Sequence, residues 1–168
     1  MGRAGSTSQG NEKKMDLGDL IKPEGIIASL KAKSKKQVLH DLSHKAGELT
    51  GLDERVIFET LLQRERLGST GLGRGIAIPH GKPAGLTRIT CLFARLETPI
   101  DFDATDGEPV ELVFLLLAPE DAGADHLKAL ARISRLLRDP LAIEKLKGSR
   151  ERTALHAVLT EPATSHAA

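Results

Sequence analysis

Aromatic side chains are nearly missing from this chain, which has four Phe, no Trp and no Tyr in 168 residues. Single-stranded nucleic acids are held largely by stacking bases on aromatic rings, so that class of function has no platform here. A strong field of one sign is missing too. The 24 Lys and Arg and 23 Asp and Glu leave a formal charge of +1, without the basic surplus that draws proteins to duplex nucleic acid or anionic membranes. Cysteine is reduced to Cys91, which has no partner for an internal disulfide and fits a reducing compartment. Its apolar surroundings, Ile89 to Leu96, make it a small buried hydrophobe. The longest apolar run, Leu112 to Ala118, is far too short to span a bilayer. No basic-apolar-small leader opens the chain, and the expectation is a cytoplasmic protein.

What is present suits one globular domain. Hydrophobic residues are 40% and charged residues 28%, ordinary proportions for a chain long enough to bury a sizeable core. Met1 to Lys14 is small, polar and Gly/Ser-rich, and reads as a disordered tail or cloning remnant. The domain is expected over 15–160, with a flexible tail at 161–168. Ile26 to Leu30 reads as a short edge strand. Ser34 offers an N-cap to a helix reaching Thr50, with Val38, Leu39, Leu42, Ala46 and Leu49 on its apolar face and Gly51 ending it. Asp53 caps a second helix whose stripe is Val56, Ile57, Thr60 and Leu61. Strands follow at Ile76–Ile78, Ile89–Leu96 and Leu112–Leu117, the last apolar on both faces and therefore central. A turn is expected at Asp106-Gly107. A helix at Ala122–Leu137, with Leu127, Leu130, Ile133 and Leu137 inward, and shorter ones at Leu141–Leu146 and Glu151–Leu159 close the chain. Helices before and after the strands predict an α/β fold, a mixed β-sheet covered by helices on both faces.

The segment Gly71-Leu-Gly-Arg-Gly-Ile-Ala-Ile-Pro-His80-Gly-Lys82 carries the functional signal. Glycines at 71, 73 and 75 permit positive φ and let backbone N–H groups approach an anion. Pro79 presets the backbone entering His80. A neutral imidazole has a lone pair for attack near neutral pH, and phosphoryl transfer asks mainly for positioning and charge stabilisation. On these residues alone His80 is open to two readings, a phosphoryl acceptor or a structural histidine in a tight turn. The pattern is not a dinucleotide fingerprint, because a strand rather than a helix follows. It is not a Walker loop, because no Gly-Lys-Ser/Thr follows at the right distance.

Other residues compete for roles. His126 stands near the start of a helix, where N–H groups and the dipole favour anions and a neutral imidazole; on its own it reads as a surface histidine beside a buried Leu127. Arg66 suits a helix C-terminus, and Arg64, further in, is open between that role and pointing at the glycine loop. Arg74 and Lys82 flank the motif and are candidates for steering a partner. His40, His44 and Glu48 form a helical row that resembles metal ligands, but Lys36 and Lys45 crowd it and a solvated face is the reading taken. Asp101, Asp103 and Asp106 lack the Gly and terminal Glu of a calcium loop. Ser69, His80 and Asp103 have the composition of a hydrolase triad without a nucleophile elbow.

Arg64-Glu-Arg-Leu-Gly-Ser-Thr-Gly-Leu-Gly-Arg-Gly-Ile-Ala-Ile-Pro-His-Gly-Lys82 closely resembles the active-site segment of phosphotransferase-system IIA proteins of the mannitol/fructose type, most of all the nitrogen-regulatory IIA branch. Pro99 to Pro119 and His126 to Leu137 agree, and the likeness spans about residues 16–160. The resemblance implies that His80 carries the phosphoryl group on Nε2, that His126 is a second active-site histidine, and that Arg64 faces the phosphate. It implies a phosphoryl carrier with a covalent phosphohistidine intermediate rather than a stand-alone turnover enzyme. No cofactor or metal is expected, since the donor is itself a phosphohistidine. That donor would be a small histidine phosphocarrier protein, HPr- or NPr-like, charged from phosphoenolpyruvate through enzyme I. Kinases, transporters or metabolic enzymes would be the regulated partners. The alternative is a sugar-specific IIA component passing phosphate to a IIB domain. Arg74 departs from relatives that often carry Asn there, which bears on partner preference more than on chemistry.

Overall fold

The computed structural model describes residues 16–161. The expected tail at 1–14, and all but the first residue of that at 161–168, lie outside the described residues. The elements run α1 (Leu17–Leu20), a 3-10 turn (Pro23–Gly25), β1 (Ile26–Leu30), α2 (Lys35–Thr50), α3 (Glu54–Leu67), β2 (Gly71–Gly73), β3 (Ile76–Ala77), β4 (His80–Gly81), β5 (Thr90–Ile100), β6 (Val110–Leu117), α4 (Ala124–Leu137), α5 (Pro140–Gly148) and α6 (Arg152–Leu159). Ser34 Oγ accepts from Gln37 N–H and Asp53 from Arg55 N–H, so both expected caps form. Gly51 takes the left-handed conformation that stops α2. The turn before β6 is closed by Gly107 N–H to the Ala104 carbonyl.

The sheet order is β1-β5-β6-β3-β2, with β4 also on β6. β1 is an edge, as its short apolar run predicts. β5 and β6 are antiparallel, while β1 on β5 and β3 and β4 on β6 are parallel, so the sheet is mixed. Along β6, Val113, Leu115 and Leu117 enter one core with α2 and α3; Leu112, Phe114 and Leu116 enter the other with α4, α5 and α6. A strand period of two inside a run apolar on both faces therefore feeds two cores at once. Phe93 and Phe114 pair across the strands edge to face, 4.9 Å between centroids. Cys91 is buried in the second core, and burial pushes its thiol up to about 12.

Three stripe residues are corrected by the packing. Leu49, Val56 and Leu127 are exposed at 40%, 37% and 65%. In α4 the inward line is Ala129, Ile133 and Leu137. With this line on the sheet, Leu127 faces outward and His126 is half-buried. In α3 the inward line is Ile57, Leu61 and the unexpected Glu65.

His44 joins α2 to α3 through Nδ1 and Glu54 Oε1 at 2.8 Å, with Glu48 3.4 Å from Nε2. The hydrogen bond to Glu54, then the charges of Glu54 and Glu48, raise its pKa above 6.5. A raised histidine stabilises the fold fully below its ordinary value, and the benefit fades as pH climbs through the raised one. His44→Gln is therefore expected to melt below the parent in mildly acidic buffer and to converge with it above neutrality in thermal melts across pH.

Candidate functional site

β3 and β4 hold one offset on β6: Ile76 to Leu112, Ala77 to Val113, His80 to Leu116 and Gly81 to Leu117. They are one strand interrupted at Pro79, which has no N–H to give the ladder. The carbonyls of Gly75, Pro79 and Gly81 face β6 and accept from Leu112, Leu116 and Ala118. Ile78 faces the other way. Its N–H bonds the Thr70 carbonyl at 3.0 Å, and its own carbonyl receives His80 Nδ1 at 2.9 Å. β2 pairs only with β3, so beside β4 the sheet edge is open and that carbonyl is left for the ring. Nδ1 therefore carries the proton, and the Nε2 lone pair points away from the strand.

Arg64 occupies the open edge. Its Nε–H donates to His80 Nε2 at 3.3 Å while a terminal nitrogen donates to the Gly68 carbonyl at 2.9 Å. The helix reaches this close because Gly81 is bare: a Cβ there would sit 2.8 Å from Thr60 Cγ2, one turn before Arg64. From the other face, the first turn of α4 brings the His126 ring to 5.9 Å from that of His80, centroid to centroid and tilted 43°. His126 Nε2 is buried and has no hydrogen-bond partner. Burial, then the charge of Lys82 and that of His80, holds the His126 ring below 6.5 and neutral at neutral pH.

The structure thus brings His80, His126 and Arg64 together, and it does not bring the glycines. Gly71 to Gly75 form a hairpin whose turn, with φ of 96° at Gly73, 58° at Arg74 and 81° at Gly75, sits at the opposite end of the strand. At the rise of a strand, Gly75 and His80 are roughly 16 Å apart. Gly73 is packed on Asp106 and Gly75 beside Lys147, so the expected phosphate cradle is corrected to a turn at these two, while Gly71, on β2 and paired with Ala77, packs against Ala104. Arg74 goes with them: its N–H bonds Asp106 and its guanidinium bonds the Leu137 carbonyl at the far end of α4. It is no part of a docking face around His80. Gly73→Ala is expected to cost on the order of 1–2 kcal/mol in urea unfolding, from the left-handed backbone and the 2.9 Å approach to Asp106 Oδ2. Phosphoryl uptake by the folded variant should match the parent.

Lys82 is exposed beside the site, while Ser69 bonds the Phe102 carbonyl and Asp103 lies 3.7 Å from Lys35, so neither Ser69 nor Asp103 pairs with His80. His40, His44 and Glu48 pair with neighbouring carboxylates and imidazoles, and no group of three ligand-type side chains arranged for a metal occurs among the described residues. Sequence reasoning missed the Ile78 carbonyl and the Thr60–Gly81 contact. The Pro79 break was the available sign of the first; nothing local marks the second.

Comparisons with known proteins bear on the fold and the family. The family described as "Phosphoenolpyruvate-dependent sugar phosphotransferase system, EIIA 2" matches residues 19–161. A nitrogen regulatory protein of Bradyrhizobium diazoefficiens is 60% identical over 148 residues, covering 88% of this chain and 97% of that one. The crystal structure of nitrogen regulatory protein IIA-Ntr from Neisseria meningitidis superposes with a TM-score of 0.82 at 36% identity, covering 86% of this chain and 99% of that one. The fold extends to the mannitol IIA enzyme of Escherichia coli, solved in complex with phosphorylated mannitol IIB, at a TM-score of 0.73 and 20% identity over 85% of this chain and 100% of that one. Among the described residues no helix is long and apolar enough to cross a membrane. A chain matched from residue 19 to residue 161 by this family, and at 60% identity by a nitrogen regulatory protein, belongs to the phosphotransferase-system EIIA 2 family, on its nitrogen-regulatory side.

Proposed function

We propose that His80 accepts a phosphoryl group on Nε2 from a histidine phosphocarrier protein, and that partner proteins in the cytoplasm read whether the phosphate is there. The observation that carries this reading is the fixed ring: Nδ1–H is committed to the Ile78 carbonyl, and the Nε2 lone pair meets the Arg64 donor. In the transfer, the Nε2–P bond forms as the donor's P–N bond breaks, and the donor imidazole leaves with its electron pair. Positive charge developing on the His80 ring is held through Nδ1–H by the carbonyl. Arg64 gives up the lone pair and turns its planar donors to the phosphoryl oxygens. His126, neutral and with a buried ring nitrogen that has no partner, can donate from Nε2–H to the same oxygens without the cost of desolvating a cation.

Phosphate adds close to two negative charges to this face, and kinases, transporters or metabolic enzymes are the partners that would sense them. The test is incubation with phosphoenolpyruvate, enzyme I and the phosphocarrier, followed by measurement of bound phosphate. Label that is acid-labile and base-stable is expected. A chain that takes none sinks the proposal.

A further inference from the structure

Glu65 is the acidic residue that the site chemistry leaves unused, and it is buried at 8% exposure. It follows Arg64 directly, so the two side chains leave α3 about 100° apart: Arg64 to the imidazole, Glu65 beneath the loop that leads into β2. Three donors converge on its carboxylate, namely Lys35 Nζ at 2.7 Å, Thr70 N–H at 3.2 Å and the Thr70 hydroxyl. Carboxylates are seldom buried, and a buried ion pair replaced by apolar packing is often neutral or better for stability. Stability alone is therefore a poor account of this pair.

What the pair holds is the approach to the histidine. Thr70, 4% exposed, has its N–H and hydroxyl on Glu65, and its carbonyl accepts from Ile78 N–H at 3.0 Å. The Ile78 carbonyl in turn receives His80 Nδ1. The same loop carries the Gly68 carbonyl that anchors the Arg64 guanidinium. Lys35 ties the arrangement to α2 and, through the Phe102 carbonyl at 3.4 Å, to the β5–β6 connection. We propose that Glu65, with Lys35 and Thr70, is a positioning residue that keeps His80 in its Nδ1–H tautomer and Arg64 on the Nε2 side.

This rests on the phosphoryl-acceptor reading for its consequence, but its first readout needs no phosphate. Histidine labelled with nitrogen-15 reports by NMR which ring nitrogen of His80 carries the proton. Glu65→Gln and the near-isosteric Thr70→Val are expected to raise the Nε2–H form from minor to major, and to slow phosphoryl acceptance roughly tenfold or more, the scale of a small misplacement of a reacting group. Thr70→Ser, which restores the hydroxyl, should return both to the parent values. Leu155→Ala, on the opposite core, supplies a variant of lowered melting temperature with an unchanged tautomer. Should Glu65→Gln fail to fold, Thr70→Val decides. Folded Glu65→Gln or Thr70→Val with the parent tautomer overturns the proposal, as does an equal tautomer shift in Leu155→Ala. If the parent takes no phosphate, the acceptor reading fails, while the spectra still decide what Glu65 does.

Discussion

His80→Ala is expected to take up no phosphate from the phosphoenolpyruvate relay, and His80→Gln, which keeps a polar side chain of similar reach, none either. The expectation follows from the number of nucleophiles at the site. Arg64 is cationic and has no lone pair to give. His126 Nε2 is buried, which denies a protein-bound phosphohistidine an in-line path to it and leaves it the part of an N–H donor to a group already on His80. The ring of His80 is half-exposed, with its proton fixed on the far nitrogen. Intact-mass measurement after incubation reads the result directly, one added phosphoryl group in the parent and none in either variant. Label persisting in His80→Ala would falsify the assignment and move the acceptor to another residue. Neither substitution should lower the melting temperature much, because the ring makes one backbone hydrogen bond at the open edge of β4 and fills no core.

Arg64→Met is expected to slow phosphoryl acceptance by about 100-fold, the usual scale for losing one preorganised donor to developing negative charge. The guanidinium already stands 3.3 Å from His80 Nε2 and is anchored on Gly68, so the parent spends little entropy in placing it. Methionine keeps much of the aliphatic stem, which confines the loss to the donors. Arg64→Lys should recover only part of the rate, since an ammonium carries the charge without the planar fork. Rapid-quench measurement of the first turnover separates this from slower docking. A change smaller than about threefold in Arg64→Met would mean that the guanidinium does not face the transferring group. On the proposed reading the pair of variants also separates roles, with His80 expected to decide whether phosphate is carried and Arg64 how fast it arrives.

Local chemistry made much of the fold legible. Ser34 and Asp53 cap α2 and α3 as their positions predict, because an N-cap depends on a hydroxyl or carboxylate two or three residues from a free N–H. β6 was legible as a central strand because seven consecutive apolar residues, Leu112 to Ala118, can be buried only between two layers. Residues at helix margins were not legible. Val56, Leu127 and Leu49 fit an apolar stripe by spacing, yet each is exposed, since which edge of a stripe is covered depends on the neighbouring elements it packs against.

The candidate site divides in the same way. The sequence by itself determined that His80 enters a preset backbone after Pro79, and that glycines precede it on a run too short to be a helix. Through resemblance it also nominated Arg64 and His126, and the fold sets both within reach of His80. Only the tertiary structure decided that the glycines form a hairpin turn at the far end of the strand, taking Arg74 with them. It alone decided that the Ile78 carbonyl meets the imidazole and that Glu65 lies beneath the loop on Lys35 and Thr70. The reason is physical. Conformational preference is local and can be read from neighbouring residues, whereas the partner of a lone pair or a buried charge depends on where β2 ends, how α3 crosses Gly81 and which face of α4 meets the sheet.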